Sequence, residues 1–176
     1  MKRLIIMRHA KTEPWTEGVD DHARAVVPDG HDAAQKVALN LESLNWSPDS
    51  VFVSSARRAR ETWLGLKERF PGCEVLVDDS LYLASVLRLE EVLLENTSSG
   101  TIMLIGHNPG LHDLGISLLR HGRNHEPDSE ALLFSKLPTG AAALFEAATD
   151  APFSRAAFSL RHFIRPKDLR DGAGHS

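Results

Sequence analysis

The chain has 176 residues, 42% of them apolar and 25% charged, with a net charge of −4. These values suit one globular domain with its own core, predicted over 1–170, and suggest neither disorder nor a membrane span. The acidic balance argues against nonspecific nucleic-acid binding, because the protein as a whole would repel a phosphate backbone.

Leu4-Ile5-Ile6-Met7 is a continuous apolar run that stops at Arg8-His9. Such a run predicts a strand buried on both faces, in the middle of a parallel sheet. The apolar stretch after Lys2-Arg3 is shorter than the roughly 7–15 residues of an export signal, so none is read. Ligands of open α/β sheets bind outside the carboxyl ends of strands, where Arg8 and His9 fall. An imidazole there could attack a phosphoryl group while the guanidinium fork holds its oxygens.

Residues 12–29, with Pro14, Gly18 and Pro28, show no periodicity and predict a loop over the end of that strand. From Gly30 onward Ala34, Val37, Ala38, Leu41 and Leu44 recur at helical spacing, ending near Asn45. Val51-Phe52-Val53 predicts the second strand. It leads through Ser54-Ser55-Ala56 into a helix that buries Ala59, Thr62, Trp63, Leu66 and Phe70 and turns Arg57, Arg60, Glu61 and Lys67 to solvent. Arg58 lies in its first turn, where the helix dipole disfavours cations. Three arginines there imply a compensating anion or a well-solvated cluster.

A third strand is predicted over 74–77, after a loop thiol, Cys73, which cannot form an internal disulfide and suggests a reducing, cytoplasmic compartment. A helix follows from Val86 to Glu95, then a polar turn over 96–100. Thr101–Ile105 is the fourth strand, followed at once by Gly106-His107-Asn108-Pro109. Asn108 suits a helix N-cap and Pro109 the first helical position, with Leu111, Leu114 and Leu118 on the buried face. His107 would then sit where free backbone N–H groups favour an anion, and Gly106 would let the backbone approach it. Residues 122–130 read as a loop, 142–145 and 156–160 as further strands, and 171–176 as a mobile glycine-bearing tail. Strands alternating with amphipathic helices predict an α/β fold with a mainly parallel sheet.

Arg8-His9, Arg58 and His107 thus follow three separate strands and converge on a site for a dianionic phosphoryl group. At these residues the chain resembles the histidine phosphatase superfamily, and more closely its SixA-type phosphohistidine phosphatases. The resemblance rests on Met7-Arg8-His9-Ala10-Lys11, on Asp21 through Arg24 to Gly30, on Ser54 to Thr62 and on Gly106-His107-Asn108-Pro109. Leu137-Pro138-Thr139-Gly140 and Arg165-Pro166-Lys167 add to it. It implies a three-layer α/β/α sandwich of phosphoglycerate mutase type, with His9 the nucleophile that becomes phosphorylated. Arg8, Arg58 and His107 complete the phosphate pocket, with Lys11 and Asn108 as further substrate-binding residues and with no metal or cofactor.

Two departures bear on substrate. Larger relatives carry a Glu general acid after the third strand, where Leu81-Tyr82-Leu83 offers none. The acid-phosphatase branch has Asp after its second histidine, where this chain has Asn108. Without a strong donor an alkoxide leaves poorly, whereas an imidazole protonated near neutral pH leaves readily. This favours a phosphohistidine-bearing protein as partner, a small phosphorylated substrate being the alternative. Asp20, Asp21 and Glu13 remain the candidate acids. The chain also lacks a large lid-forming insertion, so the site is expected to admit a protein surface. His121 and His125 are spaced by four, but Gly122 and Asn124 between them disfavour a helical metal site. His22, His31, His112 and His162 are read as surface or structural. A catalytically idle phospho-binding module is a further alternative, against which an intact His9 weighs.

Overall fold

The computed structural model describes residues 1–169, so the expected tail at 171–176 lies outside the described residues. Six strands, β1 (Arg3–Arg8), β2 (Ser50–Ser54), β3 (Glu74–Asp78), β4 (Thr101–Gly106), β5 (Ala142–Ala147) and β6 (Phe158–Ile164), form one sheet in the order β3-β2-β4-β1-β5-β6. β1 to β4 run parallel, while β5 and β6 are antiparallel additions on the β1 side. Beside them are α1 (Pro28–Ser43), α2 (Arg57–Leu66), α3 (Val86–Glu95), α4 (Gly110–His121) and α5 (Pro127–Ser135).

Alternation along β1 explains the layers. Ile5 and Met7 pack with Val37, Ala38 and Leu41 of α1 and Ala59, Trp63 and Leu66 of α2. Leu4 and Ile6 face the other way, onto Leu93 of α3, Leu114 and Leu118 of α4 and Leu133 of α5. Each buried aliphatic side chain contributes about 1.5–3 kcal/mol, so a strand apolar at every position is stable only between two helical layers. The architecture is the expected three-layer α/β/α sandwich.

Crossing direction locates a crevice. α1 and α2, which follow β1 and β2, lie on one face, and α4, which follows β4, lies on the other. Because β4 is paired with both β1 and β2, the chain reverses its winding on each side of β4. The carboxyl end of β4 is therefore a switch point, the place where an α/β sheet opens a crevice.

Three local expectations need correction. Residues 127–130, read as loop, begin α5. Its run Leu132-Leu133-Phe134 places one side chain in the core and leaves Phe134 exposed, so no helical stripe marks it. Pro127 at its first position and the Glu126 carboxylate, which accepts from the Asp128 and Ser129 N–H groups, were the available signals. β6 begins at Phe158 rather than at 156, because residues 155–157 form a 3-10 turn. Asn108 does not cap α4, which begins at Gly110 after a cis Asn108-Pro109 bond. The tight glycine of this junction is Gly110, where a Cβ would meet the Ala84 carbonyl oxygen at 1.9 Å, whereas at Gly106 a Cβ would find only ordinary contacts.

Candidate active site

Backbone pairing first fixes the end of β1. The His9 N–H donates to the Gly106 carbonyl at 3.0 Å, and the Gly140 N–H approaches the carbonyls of Arg8 and His9 at 3.1 and 2.9 Å. Thr62 on α2 then ties two strand ends together: its Oγ1 accepts from the Ala10 N–H at 2.8 Å and donates to the Arg58 carbonyl at 2.7 Å. His9 is thus held in register with Arg58. The His9 and His107 rings lie 5.3 Å apart between centroids.

His9 Nδ1 is 2.8 Å from the Ala10 carbonyl oxygen. A carbonyl only accepts, so Nδ1 carries the proton and Nε2 keeps a free lone pair. Burial, reinforced by Arg58 and Arg8, pushes the His9 pKa down to about 4, so the ring is neutral near pH 7. His107 is likewise depressed, to about 3, by burial and then by Arg58. Its Nε2 is 2.7 Å from the Ser54 hydroxyl. Burial and the neighbouring Arg58 also lower the Arg8 pKa.

Arg58 is only 2% exposed, and its guanidinium is bound by the loop that covers the strand ends. Nη1 donates to the Asp21 carbonyl at 2.6 Å and Nη2 to Asp21 Oδ2 at 3.0 Å. Asp21 is further held by the Tyr82 hydroxyl at 2.7 Å and by Arg24 Nε at 2.9 Å. The hydrogen bond from Tyr82, with Arg58 and Arg24 behind it, holds the Asp21 carboxyl down at about 2. The anion called for by three arginines is thus in part internal, supplied by Asp21.

Among the described residues, the buried side-chain polar atoms without a hydrogen-bond partner are Arg8 Nε, Arg58 Nε, His107 Nδ1 and Asn108 Oδ1. An unpaired buried polar group costs about 1–3 kcal/mol, so several in one place mark a site rather than a core. The three nitrogens come from the ends of β1 and β4 and from the first turn of α2, which follows β2, the three segments expected to converge, and suit an oxyanion as acceptor.

Lys11 and Asn108 differ from this group. The Lys11 side chain lines a separate groove with Lys136, Arg165 and Lys167. Asn108 uses its Nδ2 to donate to the Leu137 carbonyl at 2.9 Å, which also accepts from Arg8 Nη1 at 3.2 Å. Its unpartnered Oδ1 is an acceptor, which leaves only the second Nδ2 hydrogen for a phosphate oxygen. Of the other candidate acids, Asp20 accepts from the His22 N–H in the loop and Glu13 is exposed.

Residues missed from sequence surround the cluster. Tyr82 packs edge-on against both His107 and His22, with centroids at 5.5 and 4.8 Å, and lies 5.8 Å from the Arg58 guanidinium carbon. His22 Nε2 is 2.9 Å from the Ser55 hydroxyl. Glu61, expected toward solvent, turns inward and accepts from the Val26 N–H at 2.7 Å, closing the base of the loop. Only Ser54 and Thr62 were legible, as polar residues on otherwise apolar faces. His121 and His125 hydrogen-bond to the carbonyls of Ser117 and Leu119, and among the described residues no group of three or more metal-binding side chains forms. No helix among the described residues is long and apolar enough to cross a membrane.

No protein-family model matches the chain. It is 31% identical over 121 residues to an uncharacterized chloroplastic protein of Arabidopsis thaliana, a stretch covering 62% of this chain and 55% of the relative. The match thus spans about half the length of that curated relative. A structure from Nakamurella multipartitia, provisionally assigned as the phosphohistidine phosphatase SixA, superimposes with a TM-score of 0.80 at 25% identity, over 94% of this chain and 96% of that one. The protein histidine phosphatase SixA complexed with tungstate gives 0.74 at 19% identity, over 96% and 99%. With its switch-point histidines and this likeness, the chain has the phosphoglycerate mutase-like fold and resembles the histidine phosphatase superfamily, in particular the SixA-type phosphohistidine phosphatases.

Proposed function

We propose that this chain is a metal-independent phosphatase that hydrolyses phosphohistidine on a partner protein, through a phosphorylated His9. The observation that carries this reading is the tautomer of His9. With Nδ1 held by Ala10, Nε2 presents a lone pair among guanidiniums. Attack of Nε2 on phosphorus forms one P–N bond as the bond to the substrate imidazole breaks, and that imidazole takes up a proton as it departs. Water then attacks the phosphorus on His9, releasing inorganic phosphate and restoring the free ring.

Arg8 and Arg58 offset the charge on the non-bridging oxygens, and His107 donates to one of them. A dianion beside His107 raises its pKa, so the ring takes up its proton as substrate binds. Asp21 does not serve as the acid, because hydrogen bonds from Arg58 Nη2, the Tyr82 hydroxyl and Arg24 Nε keep its carboxylate ionised and turned to Arg58. A substrate whose leaving group can take its proton from solvent near neutral pH fits such a site, and phosphohistidine is one. A chain with one thiol fits a cytoplasmic setting.

Rapid-quench trapping tests the reading. Wild-type protein mixed with a histidine-phosphorylated protein carrying labelled phosphate should form an acid-labile, base-stable phosphoenzyme at His9. Release of phosphate with no label ever on His9 would overturn it. Binding without turnover would instead establish the idle module.

A further inference from the structure

Beside the His9 cluster runs a second recess, a groove of about 240 Å³ lined by Lys11, Lys136, Arg165 and Lys167 together with Pro138 and Pro166. Its side chains come from separated parts of the chain, as do those of the cluster itself. The groove has one carboxylate in its lining, Asp29, which is 85% exposed and 4.0 Å from Lys11, itself 65% exposed. A pair of that kind contributes little. Arg165 is held by Asp168, but no carboxylate among the described residues pairs with Lys136 or Lys167, both exposed. In a chain of net charge −4 this is a concentration of positive charge against the general balance.

The groove is joined to the phosphate site through one loop. Leu137 presents its carbonyl to Arg8 and Asn108, while its neighbours Lys136, Pro138 and Thr139 line the groove. Gly140, with a φ of +73°, bonds back to the carbonyls of Arg8 and His9, and a Cβ there would meet the Pro166 ring at 3.0 Å. The left-handed turn and the close approach of Pro166 together set the groove wall against the strand end that carries His9. Lys11, two residues beyond His9, points into it.

We propose that this groove is the docking site for an acidic segment of the phosphorylated partner protein, a short stretch of Asp and Glu side chains lying next to the phosphohistidine. This rests on the phosphohistidine reading above. Carboxylates spaced along a peptide match cations spread along a groove, and the two prolines give its apolar methylene stems a surface to lie on. Exposed charges of this kind speed encounter and select the partner, and their effect is screened by salt.

Two histidine-phosphorylated peptides of equal length provide the test, one with three Glu residues beside the phosphohistidine and one with Gln at the same positions. Wild-type protein should turn over the Glu peptide with a KM about tenfold lower, the combined effect of three exposed ion pairs. The preference should shrink severalfold between 20 and 300 mM salt, and the K136E/K167E double variant should abolish or invert it. Taking the ratio between peptides removes any general loss of folded protein. Equal KM values for the two peptides, or a preference that survives charge reversal, would overturn the proposal. If neither peptide is hydrolysed, the phosphohistidine reading fails, and fluorescence anisotropy of the unphosphorylated peptides decides the groove. Tighter binding of the Glu peptide, lost in K136E/K167E, would uphold it, and equal binding would reject it.

Discussion

Arg58 Nη2 lies 3.0 Å from Asp21 Oδ2, while Nη1 is bound by the carbonyl of the same residue, so one loop residue grips both ends of a buried guanidinium. Asp21 therefore acts as a positioning residue for Arg58. Asp21→Asn should lower kcat/KM about 10–100-fold for aryl and alkyl phosphates alike, since the misplaced Arg58 serves every substrate. It should lower stability by about 1–2 kcal/mol, less than for a fully buried pair because Asp21 is a third exposed. An acid role would appear instead as a selective loss on alkyl phosphates.

His9→Ala should abolish turnover, while Cys73→Ser should leave it within about twofold of wild type. Cys73 donates to the Phe70 carbonyl and burial raises its pKa, the opposite of an activated thiol. Chelators should have no effect, because the proposed nucleophile is an imidazole that needs no Lewis acid. Steady-state rates with and without chelator check both points, and activity restored by added metal after chelation would contradict them.

Phosphoenzyme formation should depend steeply on leaving-group basicity. Among the candidate acids, Asp21 is committed to Arg58, Asp20 to the loop backbone, and Glu13 is exposed. Aryl phosphates and phosphohistidine should react fast and sugar phosphates slowly in single-turnover assays. Asp20→Asn and Glu13→Gln should leave that dependence unchanged. Sugar phosphates reacting as fast as aryl phosphates would favour a small-molecule phosphomonoesterase.

Acid should destabilise the free protein before its carboxylates titrate. The His9 and His107 pKa values lie near 4 and 3, against 6.5 for an unperturbed histidine, so the unfolded chain binds more protons throughout that window. Stability is therefore full above pH 6.5 and falls as the pH drops toward 4, by a few kcal/mol in all. Asp21, depressed to about 2, adds a further loss only below pH 4, as the pH falls toward its folded value. Thermal unfolding between pH 7 and 4 should show a drop in Tm that His107→Asn reduces. Saturating tungstate should also reduce it, by raising the histidine pKa values in the folded state.

Much of the site can be read along the chain because each part ends a strand. A strand such as Leu4–Met7 is recognisable from its unbroken apolar run, and the polar residue that ends it is adjacent in sequence. Arg8, His9 and His107 are legible in that way, and Arg58 as a cation in the first turn of the helix after β2, as is the α/β sandwich that requires helices on both faces of such strands. Helix α3 was legible for the same reason, its apolar residues recurring at a single period.

What only the tertiary structure decided lies across the sheet rather than along a strand. No local pattern shows that Asp21 turns to Arg58, that Tyr82 braces it, or that Thr62 bridges Ala10 and Arg58, because these pairs are separated by 37, 61 and 52 residues. Helix α5 escaped because its packing buries one residue of an apolar triplet and leaves no stripe. The groove holding Lys11 depended on where residues 136–139 and 165–167 return to the sheet. Amino-acid order determines which chemical groups stand at strand ends, through the apolar runs that precede them. Which of those groups meet, and which of their protons are free, is set by burial and hydrogen bonding between segments that come together only on folding.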